Sequence, residues 1–278
     1  FGAAVAPAIV VSLMARFSWQ TVFYIFGTLG ILCAVLWYVY YRDSPRNHRG
    51  VNELEAEIIE GAAEGTALPA SPKLKHPVPW RRILSSDDLW YLSAMYFCYG
   101  WVVWMYFLWL PTYFIEVRHF SQIKMGFAAS VPLLAATLTN VGGGWISDKL
   151  TQKWGDLRQG RTTVSVVGFL IAGLALIPGV LATNATTGLI WLTVALAGLE
   201  LTVAVSWAIC LDIGGDFTGS VSSVMNTFGN LGGAVSAVVI GYLSTLFGWN
   251  VPFLVASSFC IVAAILTLRI NPTRSAVT

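Results

Sequence analysis

A carboxylate, an indole and two carboxamides lie inside apolar runs between residues 199 and 233. Glu200 and Trp207 belong to the first run, LELTVAVSWAIC, and Asn226 and Asn230 belong to the second, VSSVMNTFGNLGG. Because hydrocarbon offers no water to such groups, polar side chains held in it normally face a protein interior or an aqueous cavity. The two runs are therefore predicted to form the wall of a binding site.

Glu200 is the residue in this pair of runs whose chemistry is most constrained. An ionised carboxylate at the centre of a membrane helix costs about 2.5 to 3.5 kcal/mol on insertion scales. It is therefore expected to be paired, hydrated or protonated. Trp207 follows seven residues later, almost two turns on, so both side chains share a helix face. We interpret Glu200 as a residue that exchanges a proton or neighbours a bound solute. The alternative is a protonated glutamate bonded to a helix of its own half.

Asn226 and Asn230 are one helical turn apart and also share a face. A carboxamide donates to carboxylates and accepts from hydroxyl groups, which suits a polyhydroxy acid as ligand. The alternative is that the two amides join neighbouring helices by hydrogen bonds. Asn140 is a similar isolated polar residue in an earlier apolar run, and for it both roles stay open.

Residues 89–115 form an apolar segment that is rich in aromatic side chains with a polar tip: Tyr96, Tyr99, Trp101, Trp104, Tyr106, Trp109 and Tyr113. Trp and Tyr near helix ends usually lie at the membrane interface. Tyr96 and Tyr99 are deeper in the segment, beside Gly100, and are predicted to line the cavity. Gly100 and Pro111 are the two predicted kink points of this helix.

Composition indicates an integral membrane protein. Hydrophobic residues make up 56% of the 278 residues and charged residues only 11%, whereas a soluble domain has about 25% charged residues. The net charge of +2 gives no reason to expect a nucleic-acid partner. All four cysteines lie in apolar segments, so neither a disulfide framework nor a zinc cluster is expected, and no cofactor is predicted.

Eight apolar segments are predicted to cross the bilayer, for which about 20 residues are needed. They cover residues 2–15, which is a short segment, and 21–41, 89–115, 123–147, 162–182, 188–210, 219–246 and 250–270. The long polar connection at residues 42–88 begins with a short amphipathic helix, for which Asn52 and Glu55 form a capping box. A loose linker with Pro69, Pro72, Pro77 and Pro79 follows.

The distribution of basic residues predicts the orientation, because short cytoplasmic loops collect Lys and Arg. With the long connection inside, 13 of the 16 Lys and Arg residues are cytoplasmic, and only Arg16, Arg118 and Lys124 are outside. The carboxyl terminus is then cytoplasmic, and so are Asp212 and Asp216.

An internal repeat organises the predicted helices. At an offset of 230 positions, FSWQTVF at residues 17–23 aligns with FGWNVPF at residues 247–253, and Gly2 aligns with Gly232. Two helix pairs related without inversion are typical of a parallel-repeat transporter. A six-helix repeat makes residues 1–41 the last two helices of an amino half, with the first one truncated. Residues 42–88 then connect the halves, residues 89–270 form a six-helix carboxyl half, and residues 271–278 are a cytoplasmic tail. Four further helices are expected ahead of Gly2.

The turn GGWISDKLTQKWGDLRQGR at residues 143–161 resembles the loop signature of the major facilitator superfamily. The tracts DSPRNHRGVNELE, NTFGNLGG and GWNVPF resemble its bacterial anion:cation symporter branch. This resemblance implies an all-α membrane protein, a major facilitator-type bundle with eight of an expected twelve transmembrane helices. It also implies a transporter whose halves rock around a central site to move a small organic anion, usually with protons, across the bacterial inner membrane. Sugar acids such as hexuronates or aldonates are the cargo that the resemblance implies.

The resemblance also assigns site residues. By motif position, the substrate contacts carry over to Asn226 and Trp207, with Ser206 adjacent, while Asn230 belongs to a motif that serves either the substrate or helix packing. The aspartate of the loop signature is Asp148, and its basic residues are Lys149 and Arg161.

We interpret Asp148, the aspartate of the loop signature, as a gating residue. The Asp148 carboxylate is expected to bond to a helix amino terminus or to a basic side chain across the interface between halves. Such a contact helps to decide which face of the transporter is open. The alternative is a tight turn with an excess of positive charge.

Three alternatives to an organic-anion symporter follow from the sequence. No Lys or Arg lies in the middle of a predicted helix, so the cation that pairs with an anionic cargo and the main proton site are both expected in the preceding helices. A neutral sugar or a drug is therefore the alternative cargo, and a non-transporting sensor of the same fold is a further alternative. A membrane-embedded enzyme is not expected, because His48, His76 and His119 all lie in loops and no catalytic constellation is present.

Overall fold

The computed structural model describes residues 2–65 and 77–276, and every regular element in these ranges is helical. Pro69, Pro72 and His76 of the predicted linker lie outside the described residues. The helices are α1 (Gly2–Met14), α2 (Trp19–Tyr40), α3 (Glu53–Gly65), α4 (Trp80–Leu84), α5 (Asp87–Leu108), α6 (Leu110–Glu116), α7 (Gln122–Trp154), α8 (Leu157–Leu181), α9 (Ala185–Gly214), α10 (Thr218–Phe247) and α11 (Asn250–Arg269). Short 3₁₀ turns cover Pro45–Asn47 and Gly215–Phe217.

Every segment predicted to span the membrane is helical in this structure. Within the described residues, five helical stretches are long and apolar enough to cross a bilayer, or six if α5 and α6 form one bent span. One of these stretches, Ala185–Phe247, contains both α9 and α10. The apolar helix α1 is shorter, at 13 residues. The all-α fold predicted from the sequence is confirmed.

The chain divides into two compact units, Leu13–Val78 and a larger unit that joins Phe1–Ser12 to Pro79–Thr278. The smaller unit contains α2 and α3. The backbone N–H of Glu55 donates to Oδ1 of Asn52 over 2.8 Å, which confirms Asn52 as the N-cap that begins α3.

The larger unit is a helical bundle. Helix α9 packs on both α7 and α8, α5 packs on α10, and α11 lies against α5 and α8. Glycines bring the backbones together at these contacts, as small residues do in membrane bundles. A Cβ on Gly100 would overlap the carbonyl oxygen of Gly229, and one on Gly143 would overlap that of Leu201. Gly100 therefore serves the packing of α5 on α10.

The bend in the aromatic segment lies at the other predicted kink point. Helices α5 and α6 meet at 48°. Pro111 occupies the first turn of α6, where its missing N–H removes a bond that would continue α5. The predicted kink at Pro111 is confirmed, and Gly100 lies inside the unbroken helix α5.

Helices α9 and α10 form a hairpin. Gly215 has a φ of +49°, a left-handed conformation that glycine adopts readily, and it begins the 3₁₀ turn between the two helices. The Cys210 and Met225 sulfurs are 3.4 Å apart. In one straight helix, residues so far apart in sequence would be separated by about 22 Å. The reversal brings the polar residues of α9 and α10 to the same part of the bundle.

Candidate functional site

The Glu200 carboxylate is held by side chains from two other helices. Its Oε1 accepts a hydrogen bond from the Tyr99 hydroxyl of α5 over 2.8 Å. Its Oε2 accepts one from Nδ2 of Asn140 of α7 over 2.9 Å. Both donors are uncharged, so each carboxylate oxygen has a partner but no counter-ion among these contacts. The structure thereby gives Asn140 a position that the sequence left open, as a residue that orients Glu200.

Glu200 lies in the wall of a cavity of about 370 Å³. Aromatic side chains, amides and one carboxylate dominate its lining, which consists of Tyr96, Tyr99, Gly100, Val103, Trp104, Phe107, Asn140, Glu200, Val203, Asn226, Gly229 and Asn230. Among the described residues, no basic side chain contributes to this lining. An apolar cavity with a few convergent polar groups is the usual form of a small-molecule site. These groups are suited to hydroxyl hydrogen bonds and to stacking against a carbon skeleton.

A second cavity of about 320 Å³ adjoins the first. The two share Val103, Phe107, Asn140 and Glu200, and the second is otherwise lined by α1, α7 and α9, including Ala3 of α1. Glu200 and the amide that orients it therefore lie at the boundary between two spaces.

Trp207 reaches the site through a tyrosine. Its Nε1 donates to the Tyr96 hydroxyl over 3.2 Å, and the Tyr96 ring stacks on the Tyr99 ring with centroids 4.9 Å apart. Glu200 and Trp207 thus bond to tyrosines on adjacent turns of α5, consistent with the shared face expected from their spacing. Trp207 itself is not part of the described lining of the cavity.

The other predicted substrate contacts take different positions. Asn226 and Asn230 both line the cavity, and Nδ2 of Asn230 donates to the backbone carbonyl of Asn226 over 2.9 Å. Ser206 is fully buried, and its hydroxyl donates to the backbone carbonyl of Thr202 over 2.8 Å. The structure therefore brings the two amides to the cavity and holds Ser206 within the helix packing.

A charged cluster lies where α7, α8 and α9 meet. Arg161 contacts Asp148 over 2.5 Å and Asp212 over 3.1 Å, and it also donates to the Ser147 hydroxyl over 3.2 Å. The basic partner expected for Asp148 is present, and it belongs to α8 of the same bundle. Lys149 lies instead over the Trp145 ring, 4.6 Å from its centroid.

Asp212 is the member of this cluster that the sequence did not single out. The distribution of basic residues predicted that Asp212 lies on the cytoplasmic side. Neither its position in the sequence nor the residues next to it indicated Arg161 as its partner. Its side chain is 18% exposed, against 60% for Asp148 and 11% for Arg161. Asp212 is therefore the carboxylate that shares the partly buried environment of the arginine.

We expect Asp212→Asn to destabilise the bundle more than Asp148→Asn, although the Asp148 contact is the shorter one. An exposed ion pair contributes about 1 kcal/mol or less because water screens it. A bond to a mostly buried guanidinium contributes about 2 kcal/mol. Thermal denaturation of each purified variant in detergent measures the difference. A larger loss of melting temperature for Asp148→Asn would contradict the ranking.

Arg118 caps the carboxyl end of α8, the end opposite Arg161. Its guanidinium donates to the carbonyl of Ala182 over 2.6 Å and to the Tyr113 hydroxyl over 3.0 Å. The carbonyl groups at a helix carboxyl end lack intrahelical partners, so a cation there is stabilising. The sequence had placed Arg118 in an outside loop without indicating this capping role.

No group of three or more His, Cys, Asp or Glu residues is placed to hold a metal ion within residues 2–65 and 77–276. The possible donors around the cavity are the Glu200 carboxylate and neutral amide and phenol groups.

Comparison with known proteins identifies the family of this chain. The model of the Major Facilitator Superfamily matches residues 1–237. Over 272 residues the chain is 33% identical to the probable sulfoacetate transporter of Cupriavidus necator, a match that covers 98% of this chain and 62% of that protein. It is 28% identical over 256 residues to the chloroplastic ascorbate transporter of Arabidopsis thaliana, covering 91% of this chain and 46% of the relative. It is 29% identical over 238 residues to the probable galactarate/D-glucarate transporter of Escherichia coli K12, and this match covers 81% of this chain and 51% of that protein.

The chain thus spans between 46% and 62% of the length of these relatives. They are all named as transporters of anions, and the alternative of a membrane-embedded enzyme is excluded by the family match. The helical bundle, the loop signature at residues 143–161 and the match over residues 1–237 agree with one another. The resemblance inferred from the sequence is therefore confirmed, and the chain belongs to the Major Facilitator Superfamily.

Proposed function

We propose that the protein is a secondary active transporter that moves a small organic anion, a sugar acid or another carboxylate, in symport with protons by alternating access. The observation that carries this proposal is the cavity in which Glu200 is held by Tyr99 and Asn140, opposite the amides of α10. The names of the relatives, which include sulfoacetate and galactarate/D-glucarate transporters, support an anionic cargo. The proposed partners are the cargo, the proton and the lipid bilayer. The location is the cell membrane, with the carboxyl terminus in the cytoplasm.

The cavity favours recognition of the uncharged part of the cargo. Asn226 and Asn230 offer donors and acceptors to hydroxyl groups, and Trp104 offers a face on which a carbon skeleton stacks. Trp207 acts through the Tyr96 hydroxyl to which it donates. The described lining contains no basic residue, so a cation that binds the acid group would lie outside this lining.

Glu200 is the residue that we assign to proton exchange. In its ionised form it brings an uncompensated negative charge to a cavity that receives an anion, and protonation removes that repulsion. Its place at the boundary of two cavities favours access for a proton from more than one direction. Proton and anion would then bind together, as symport requires.

We assign Asp148, Lys149 and Arg161 of the loop signature to gating. The Asp148 side chain is 60% exposed, so its carboxylate retains acceptor positions for a further donor while it contacts Arg161. Exchange between these partners would bias which face of the transporter is open. Replacing Asp148 by Asn is expected to shift the balance between inward-open and outward-open states.

A neutral sugar is the second candidate cargo, and the lining of the described cavity favours it, because that lining offers amides and aromatic rings but no cation. Exchange in proteoliposomes separates the two. The full-length protein is reconstituted in proteoliposomes, which are loaded with sulfoacetate, D-glucarate, D-galactonate or glucose. Counterflow of the labelled compound is then measured without an ion gradient. We expect exchange of one or more of the acids. Exchange of glucose alone, or of none of the four, would contradict anion transport.

Asn226→Ala is expected to weaken acid binding by about tenfold or more. A hydrogen bond to an uncharged hydroxyl contributes about 0.5 to 1.5 kcal/mol, and a buried partner left without its bond costs about 1 to 3 kcal/mol. A difference of about 1.4 kcal/mol corresponds to a factor of ten. Thr227→Ala is the matched control, since the adjacent Thr227 hydroxyl donates to the backbone carbonyl of Ser223 and does not line the cavity. The effect of each variant is measured as the half-saturating concentration of D-glucarate, D-galactonate and sulfoacetate in counterflow. Equal values for the two variants would remove Asn226 from the site.

A further inference from the structure

Tyr99 bonds to the carboxylate of Glu200 and also lines the cavity that we assign to the cargo. It donates to Oε1 of Glu200 over 2.8 Å, and Tyr99 is also part of the cavity lining. A phenol oxygen both donates one hydrogen bond and accepts others, whereas an ionised carboxylate only accepts. The direction of the Tyr99 bond therefore depends on whether Glu200 carries a proton.

A proton on Glu200 needs an acceptor in the site. The Nδ2 group of Asn140 occupies Oε2 and is a donor only, so it offers no lone pair to a protonated carboxyl. The Tyr99 oxygen faces Oε1 and has lone pairs available. A proton that binds at Oε1 therefore makes Glu200 the donor and Tyr99 the acceptor.

This reversal releases the hydrogen of the tyrosine. The phenol hydrogen prefers two positions in the plane of the ring, related by a half-turn about the C–O bond. When Oε1 becomes a donor, the position toward Glu200 is occupied and the hydrogen turns to the other one. Tyr99 then has a hydrogen to donate within the cavity of which its side chain is part. No covalent bond of the tyrosine is broken, since the added proton stays on Glu200.

Within residues 2–65 and 77–276, no other charged side chain lines the two cavities beside Glu200. The titratable groups around Glu200 are Tyr99 and Tyr96 of α5. Among the described residues that line the two cavities, α1, α7 and α10 contribute only apolar, hydroxyl and amide side chains, and Glu200 is the titratable group of α9. On the remaining side, α8 packs against α9 through small and apolar residues such as Gly168 and Ile171.

We propose that Tyr99 transmits the protonation of Glu200 to the cargo, as a hydroxyl that donates to the carboxylate when Glu200 is ionised and to the bound anion when Glu200 is protonated. This inference rests on the proposed proton-coupled function and adds a positioning residue to it. It explains how one proton both removes a negative charge and supplies a hydrogen-bond donor. Each change favours the binding of an anion.

Binding of D-glucarate, D-galactonate and sulfoacetate to the purified full-length protein tests the inference, measured by calorimetry between pH 5 and pH 9. In the unmodified protein we expect affinity to fall with rising pH, by as much as about tenfold per pH unit where one proton is coupled. Tyr99→Phe is expected to lower affinity about tenfold at pH 5 and less than twofold at pH 9, since the hydroxyl is available to the anion only when Glu200 is protonated. The ratio of the two affinities therefore depends on pH.

Two further variants serve as controls for the pH-dependent effect of Tyr99→Phe. Tyr106→Phe removes a hydroxyl from the same helix, one that donates to the carbonyl of Leu192 over 2.8 Å, and its effect is expected to be the same at every pH. In a Glu200→Gln background, the effect of Tyr99→Phe is also expected to be independent of pH, because the group that switches its direction is gone.

The outcomes separate this inference from the function on which it rests. If Glu200→Gln leaves the pH dependence intact, or if none of the three acids binds the unmodified protein, the proposed coupling at Glu200 fails. If Glu200→Gln removes the pH dependence but Tyr99→Phe lowers affinity equally at pH 5 and pH 9, only the Tyr99 inference is overturned. That second pattern would indicate that a half-turn of the Asn140 amide accepts the proton, or that Tyr99 serves packing alone.

Discussion

Glu200→Gln is expected to abolish accumulation of the acid driven by a proton gradient while leaving counterflow exchange measurable. Glutamine keeps the size of the side chain and retains an acceptor for the Tyr99 hydroxyl, which bonds to Oε1 in the native protein. The glutamine amide does not bind or release a proton in the physiological pH range. The cavity would therefore still bind its cargo, but the proton gradient would no longer drive uptake. Initial rates in proteoliposomes, with and without an inward proton gradient, measure the loss.

The matched control for this substitution is Glu116→Gln. Glu116 is exposed at the end of α6, where its carboxylate accepts from Nε1 of Trp249 over 3.1 Å, and it does not line the cavity. We expect gradient-driven accumulation to persist in this variant. Normal accumulation by Glu200→Gln would exclude Glu200 as the coupling residue and leave the helical bundle and its family unaffected.

Gly143→Ala is expected to destabilise the bundle by about 3 kcal/mol or more, the upper range for an overpacked core position. Its added Cβ would overlap the carbonyl oxygen of Leu201, at the contact between α7 and α9. A backbone atom is not displaced by a change of rotamer, so the two helices must separate. Because α9 carries Glu200 and α7 carries Asn140, their separation would also break the 2.9 Å bond between those side chains.

Gly142→Ala provides the control on the adjacent residue. A Cβ at Gly142 meets nothing within 4 Å in the structure. Both changes have the same effect on intrinsic helix propensity, so any difference between them reports the packing of α7 on α9. The melting temperature of each purified variant is the measurement. Equal melting temperatures would contradict the close approach of Gly143 and Leu201.

The helices of this protein follow from local features of the sequence. Long apolar runs predicted helices that the structure contains, because a segment that crosses hydrocarbon must satisfy its backbone hydrogen bonds internally. The cap at Asn52 and the bend at Pro111 were also predicted, since each depends on a backbone group a few residues away. Gly100 was interpreted as a kink because a glycine within a helix does not indicate whether it bends the helix or admits a neighbour.

The partners within the site depend on contacts that are distant along the chain. Helical spacing placed Glu200 and Trp207 on one face, but it did not indicate which helix that face meets. Asn140 is 60 residues from Glu200, and Tyr99 is 101 residues away. The same limit applies to Arg161 and Asp212, which are 51 residues apart. The packing of α9 against α5, α7 and α8 brings these pairs together.

Accumulation of an organic acid against its concentration gradient tests the central claim most directly. The full-length protein is reconstituted in proteoliposomes with labelled D-glucarate, D-galactonate or sulfoacetate, and an inward proton gradient is imposed and then collapsed with a protonophore. The account predicts that one acid accumulates inside above its outside concentration and that the protonophore releases it. Equilibration of all three acids without accumulation, or uptake of neutral sugars alone, would contradict proton-coupled anion symport.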